Sequence, residues 1–138
     1  MNSNKQKNIS IFIMRALVGI LFIYHGVQKV LDPSGTAGFF ESLGLIGILG
    51  PIVGYVEIIA GILLLIGVWT KWASVAIGVI MIGAIVLVQA ANGYSAGLAR
   101  DVLLLALVYY FFTNGPGTVA IEHVKPAKKG SKKKNMWK

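Results

Sequence analysis

Residues 9–30, ISIFIMRALVGILFIYHGVQKV, decide how this chain is read, because they form a membrane-length apolar run that still carries Arg15, His25, Gln28 and Lys29. A segment apolar enough to enter a bilayer keeps polar groups only where partners, headgroups or a function hold them. At 100° per residue, Phe22, Gly26 and Lys29 fall within roughly 40° of Arg15 around a helix, and His25 lies about 80° away on the same side. One face is therefore small and polar, and the rest is Ile, Leu, Val and Phe. Arg15 and Lys29 could each snorkel toward opposite headgroup layers. His25, a full turn inside Lys29, does not fit that account and shares one site with the lysine instead.

Composition agrees with a membrane setting. The 138 residues are 56% hydrophobic and 13% charged, with a mean hydropathy of +0.74, too apolar for an ordinary soluble domain. About 20 apolar residues cross a bilayer, and four such stretches are found at residues 9–30, 51–69, 72–91 and 97–113. The expected fold is an all-α membrane protein, a four-helix transmembrane bundle over residues 9–122 between a leader (1–8) and a basic tail (123–138). Lys5 and Lys7 before the first span suggest a secretory signal, but Arg15 interrupts the run and no small-x-small cleavage site follows. The first span is read as a retained helix.

Lysine and arginine placement gives the orientation. Lys5 and Lys7 precede span one, Lys71 sits between spans two and three, and seven lysines follow span four, whereas segments 32–50 and 92–96 contain neither residue type. Both termini are expected to be cytoplasmic, in a multi-pass protein of the bacterial plasma membrane. The net charge of +8 comes almost wholly from the tail. A polybasic segment just inside a span meets anionic lipid headgroups more simply than nucleic acid, so lipids are the expected partner.

Segment 32–50 opens as a turn at Asp32-Pro33 and then becomes apolar around Phe39, Phe40 and Leu43. It reads either as an interfacial amphipathic piece over the bundle mouth or as a plain surface loop. In span two, Glu57 is the one ionisable residue, flanked at i−3 and i+4 by Gly54 and Gly61. It stands on a small-residue face where another helix can come close. Counted inward from the outer ends at 1.5 Å per residue, His25 lies about 7 Å deep and Glu57 about 9 Å. Gln89, Arg100 and Asp101 converge on the same layer. Such a cluster reads either as a stabilising network or as a polar cavity for a small ligand, with His25, Lys29 and Glu57 able to hand on protons. Arg15 lies apart, near the inner leaflet, and pairs with a lipid phosphate or with Glu122, which follows the helix-breaking Gly115-Pro116-Gly117. Glu122 is the favoured partner in a structural ion pair.

Taken in order, Arg15, Gly19, Phe22, His25-Gly26 and Lys29, then Gly35-Thr36-Ala37-Gly38-Phe39-Phe40, Leu43-Gly44-Leu45, Glu57, Gly61, Gly67, Thr70 and Gly115-Pro116-Gly117 resemble the DoxX family of small four-helix bacterial membrane proteins. The resemblance runs from about residue 11 to residue 122. It implies a bundle tied to redox chemistry at the membrane, with relatives associated with thiosulfate:quinone oxidoreductase or with enzymes of catechols and quinones. The positions it carries over are Arg15, His25, Lys29 and Glu57. The chain departs from many relatives after Asn92-Gly93, where it reaches Arg100-Asp101 quickly instead of through a longer outer stretch with an acidic residue.

Some chemistries are set aside. The chain has no cysteine, which removes thiol-disulfide exchange and thiolate clusters. With His25 the one histidine inside a span, neither a bis-histidine haem nor a metal site is expected. The expected function is a membrane subunit of a redox system that binds a quinone or related aromatic diol. His25, Glu57 and Lys29 are the catalytic candidates. Lys29 and Arg100 would polarise a ligand oxygen, and the binding candidates are Arg100, Asp101, Gln89, Phe22 and Tyr24, the last two as ring contacts. Electrons would pass to a partner redox protein. The alternatives are a small-solute or proton transporter, and a scaffold docking through its lysine tail. The glycine-rich helices also suit a homo-oligomer.

Overall fold

The computed structural model describes residues 2–89, 93 and 96–120. Its helices are α1 (Ser3–Leu31), α2 (Pro33–Ser42), α3 (Leu49–Ile66), α4 (Thr70–Ala84) and α5 (Ala96–Asn114), and α4 runs on into a π-helical turn at Ile85–Gln89. With that turn counted into α4, four helices among the described residues are long and apolar enough to cross a membrane: Ser3–Leu31, Leu49–Ile66, Thr70–Gln89 and Ala96–Asn114. The protein is an all-α membrane protein built on a four-helix transmembrane bundle. Its surface fits that solvent, since Leu17, Ile20, Ile59 and Leu103 stand exposed where a water-soluble protein would bury them. Phe22, Leu64, Ile77, Val108 and Phe111 meet in the interior.

The bundle is organised by one close helix pair. α1 and α3 run antiparallel, and two glycines seven residues apart on α1 face two on α3. A Cβ added at Gly19 would lie 2.7 Å from the Gly61 carbonyl oxygen, and one at Gly26 would lie 2.5 Å from that of Gly54. Backbones that approach this closely are the small-residue packing expected where lipid gives no hydrophobic drive between helices.

Helix ends differ from the sequence reading for local reasons. α1 starts at Ser3, so the helix already runs through Lys5 and Lys7 before the apolar span begins. Its 29 residues reach about 43 Å, beyond the roughly 30 Å of hydrocarbon, which lets the lysine-bearing turns stand outside. α3 ends at Ile66 because Gly67 turns left-handed (φ 73°) and donates its N–H to the Leu63 and Leu64 carbonyls. Trp69 is also left-handed, and α4 begins at Thr70, so Lys71 lies in its first turn. Segment 32–50 contains a true helix. Pro33 occupies its first turn and Asp32 caps it by accepting from the Gly35 N–H at 3.0 Å, while Thr36 Oγ1 donates to the Lys29 carbonyl at 3.2 Å. These bonds tie the start of α2 to the end of α1, and α2 itself packs chiefly on α3.

At the other end, Gly115 and Gly117 both take positive φ and turn the chain under the bundle. Arg15, only 1% exposed, donates from Nη1 to the Pro116 carbonyl and from Nη2 to that of Val119 at 2.6 Å. Among the described residues its partners are backbone carbonyls, not a carboxylate. Glu122, the expected partner, lies outside the described residues, as does the lysine tail.

Candidate functional site

At the α2 end the bundle encloses a cavity of about 420 Å³. Phe22, His25 and Lys29 reach it from α1, Glu57 from α3, Gln89 from the π-helical turn, and Arg100 with Asp101 from α5. The five polar residues assigned to one layer from the sequence, together with Lys29 and Phe22, therefore line a single space. Tyr24 is not among the lining residues. Its ring projects outward, 58% exposed, with its hydroxyl accepting from Gln28 Nε2 at 2.7 Å.

The glycine packing of α1 on α3 positions the first polar pair. A Cβ at Gly54 would sit 2.8 Å from the Lys29 Cβ, so only glycine lets the lysine stem lie against α3. One turn further along, Glu57 is 2% exposed and its Oε2 accepts from Lys29 Nζ at 2.7 Å. A short charge-assisted bond of this kind suits a desolvated pair.

The second polar group faces it from α4 and α5. Asp101, 3% exposed, accepts from Gln89 Nε2 on one oxygen and from Arg100 Nε on the other, both at 3.0 Å. Gln89 reaches Asp101 from a π-helical turn, a local widening that recurs at functional sites. Gly97 leaves it room, because a Cβ there would lie 2.8 Å from Gln89 Nε2. The Arg100 side chain remains 53% exposed and forms the polar side of the mouth.

His25 stands between the two pairs. It lies within Coulombic range of Lys29, Arg100 and Asp101, its ring meets Tyr24 edge-on at 5.8 Å, and it makes no hydrogen bond among the described residues. Each cation is matched by a carboxylate, so the cavity carries no net charge when His25 is neutral, and the imidazole has uncommitted hydrogen-bonding capacity. Such a site can hold a neutral molecule with two polar atoms and exchange a proton with it at His25.

Most of the remaining wall is apolar. Phe39, Phe40, Leu43 and Leu45 close it on the α2 side, Leu49 and Val53 continue the Glu57 stripe of α3, and Ile80, Gly83, Ala84 and Leu87 form a stripe on α4. Sequence reasoning brought Phe39 and Phe40 only as far as the bundle mouth and missed the α4 stripe. The small pair Gly83-Ala84 was the one signal for it, since lipid-facing and cavity-facing aliphatic residues look alike.

The sequence profile of the DoxX family matches residues 10–90. The chain is 29% identical over 119 residues to "Putative oxidoreductase CatD" of Bacillus subtilis, covering 86% of this chain and 89% of that protein. It is 30% identical over 129 residues to an uncharacterized membrane protein of Mycobacterium tuberculosis, covering 82% and 79%, and 28% identical over 133 residues to an uncharacterized protein of Haemophilus influenzae, covering 88% and 95%. No solved structure matches the chain significantly.

Proposed function

This chain belongs to the DoxX family, and on that premise we propose that it is a membrane subunit of a redox system that binds a quinone or related aromatic diol in the cavity among α1, α3, α4 and α5. The observation that carries the reading is the unbonded His25 set between two compensated ion pairs in a mostly apolar cavity of about 420 Å³. Pockets of this size with a few convergent polar groups suit small organic ligands. The name of the Bacillus relative supports an oxidoreductase setting.

The donor set fits the ligand class. Lys29, Arg100 and the His25 imidazole can each direct an N–H at a ligand oxygen, and Phe22 offers a ring face between them. A quinone, when bound, supplies two-electron chemistry coupled to two protons, and the electrons pass to a partner redox protein. His25 takes or returns one of these protons at its free ring nitrogen, and the other exchanges with water at the exposed mouth beside Arg100. Glu57 holds Lys29 in place, and Asp101 does the same for Arg100 and Gln89. The α2 end faces outward in the bacterial plasma membrane, and the lysine-rich terminus meets the anionic inner leaflet.

Binding of a benzoquinone to the purified protein, followed by fluorescence quenching, tests the site. His25→Ala should weaken it by about tenfold, the loss of one good hydrogen bond to a buried ligand oxygen, and Glu57→Gln should weaken it by releasing Lys29. Equal binding in all three proteins overturns the assignment. The lysine tail is tested separately: removal of residues 125–138 should reduce the salt-sensitive association of the nanodisc-embedded protein with added anionic vesicles while leaving quinone binding unchanged, at about 1 kcal/mol per lysine near the surface.

A further inference from the structure

The cavity does not end at its polar groups. Phe39, Leu49, Val79 and Leu87 all line it and are all exposed on the outer surface, so along this apolar seam its wall is only one side chain thick. The side of the seam follows from α4. Gly78 turns toward α5, where an added Cβ would lie 3.9 Å from Val108 Cγ1. The lining stripe Ile80, Gly83, Ala84 and Leu87 centres about 180° around the helix from Gly78, which aims the seam away from α5 and toward α3. Its depth follows from the same helix. Val79, 65% exposed, is the tenth residue of the Thr70–Gln89 span, about 14 Å from either end and so near the middle of a roughly 30 Å hydrocarbon layer. At that depth an exposed seam meets acyl chains, not water.

Resting on the ligand reading above, we propose that the seam between α3 and α4 is a lateral portal, and that the ligand is a lipid-soluble quinone whose aliphatic tail lies in the portal and leaves into the bilayer while its ring stays at the polar end. The division of the cavity supports this occupant. The charged and amide groups gather at the α2 end, Arg100 gives the water-facing mouth, and the seam offers an aliphatic tail only Phe, Leu and Val. A polar solute would gain nothing from the seam, whereas an aliphatic tail on a ring held at the polar end would be in apolar contact along it.

The test compares two benzoquinones with the same ring, one tailless and one bearing a ten-carbon alkyl chain, on the whole protein in lipid vesicles. Val79→Trp and, independently, Leu87→Trp narrow the portal without touching the polar groups. Val102→Trp, exposed on α5 and absent from the cavity wall, controls for a bulky ring on the lipid face. The tailed quinone should bind about tenfold or more weakly to both portal variants, as a built clash discriminates, while the tailless ring binds as it does to the wild type. Unchanged tailed binding, or equal loss of both ligands, overturns the portal and leaves the headgroup site standing. If the wild type binds neither compound, the ligand reading itself falls.

Discussion

Replacing Gly26 by Ala is expected to separate α1 from α3, and replacing it by Leu to prevent a stable bundle from forming. The atoms that an added Cβ would meet include the Gly54 carbonyl oxygen at 2.5 Å and the Ile58 amide nitrogen at 2.9 Å. Both are backbone and cannot swing aside like the end of a side chain. Inserting one methyl group into a packed site costs about 1–3 kcal/mol when neighbours give way, and the value for Gly26→Ala should lie at the upper end because the whole helix must shift. Gly38→Ala is the control, since nothing lies within 4 Å of its added Cβ. Unfolding in mixed micelles should show a large loss for the first and little change for the second. The consequence reaches the site, because Lys29 follows Gly26 by one turn and its stem packs on Gly54. Gly26→Ala should therefore weaken quinone binding without altering any cavity-lining residue. A bundle as stable as the wild type would show that the α1–α3 contact is looser than its glycines imply.

How far the sequence anticipates this arrangement depends on what kind of signal each element leaves. The four spans are legible because a run of about 20 apolar residues has few other uses, and the convergence of His25, Lys29, Glu57, Gln89, Arg100 and Asp101 is legible because polar groups are rare inside a membrane and conspicuous when they share a depth. Glu57 between Gly54 and Gly61 even announces a close helix contact, and the structure gives α1 as the helix that makes it. The span ends are less so. The end of α3 at Gly67 and the start of α4 at Thr70 hinge on left-handed backbone at Gly67 and Trp69, and nothing about a tryptophan advertises that conformation. The π-helical turn that aims Gln89 leaves no mark in the sequence that periodicity could read. Tyr24 is adjacent to His25 and aromatic, which suggested a ring contact, but 100° of helical rotation carries it to the outer surface. The Arg15 anchor adds something the sequence did not announce: among the described residues the chain after Gly115 supplies the Pro116 and Val119 carbonyls as acceptors, while the expected partner Glu122 lies outside the described residues.

Breaking the Lys29–Glu57 pair should damage the protein asymmetrically. Glu57 is 2% exposed, and removing its partner leaves a carboxylate deep in the bundle. Lys29 keeps 26% of its side chain exposed and, freed from Glu57, can turn its long stem toward the interface. Removing one partner of a buried pair costs about 3–5 kcal/mol where the orphan cannot escape, although replacing both by apolar groups is often close to neutral. Lys29→Met should therefore approach that range, Glu57→Leu should cost less, and the double variant should be more stable than Lys29→Met alone. The three unfolding free energies give the coupling directly as a double-mutant cycle. Function should follow a different order, because the double variant keeps its fold but has lost a donor to the ligand and should bind quinone weakly however stable it is. That separation of stability from binding is what a working site requires. If the double variant regains both stability and binding, the pair serves only to hold α1 against α3, and the ligand must be held by His25 and the Arg100–Asp101 side of the cavity alone.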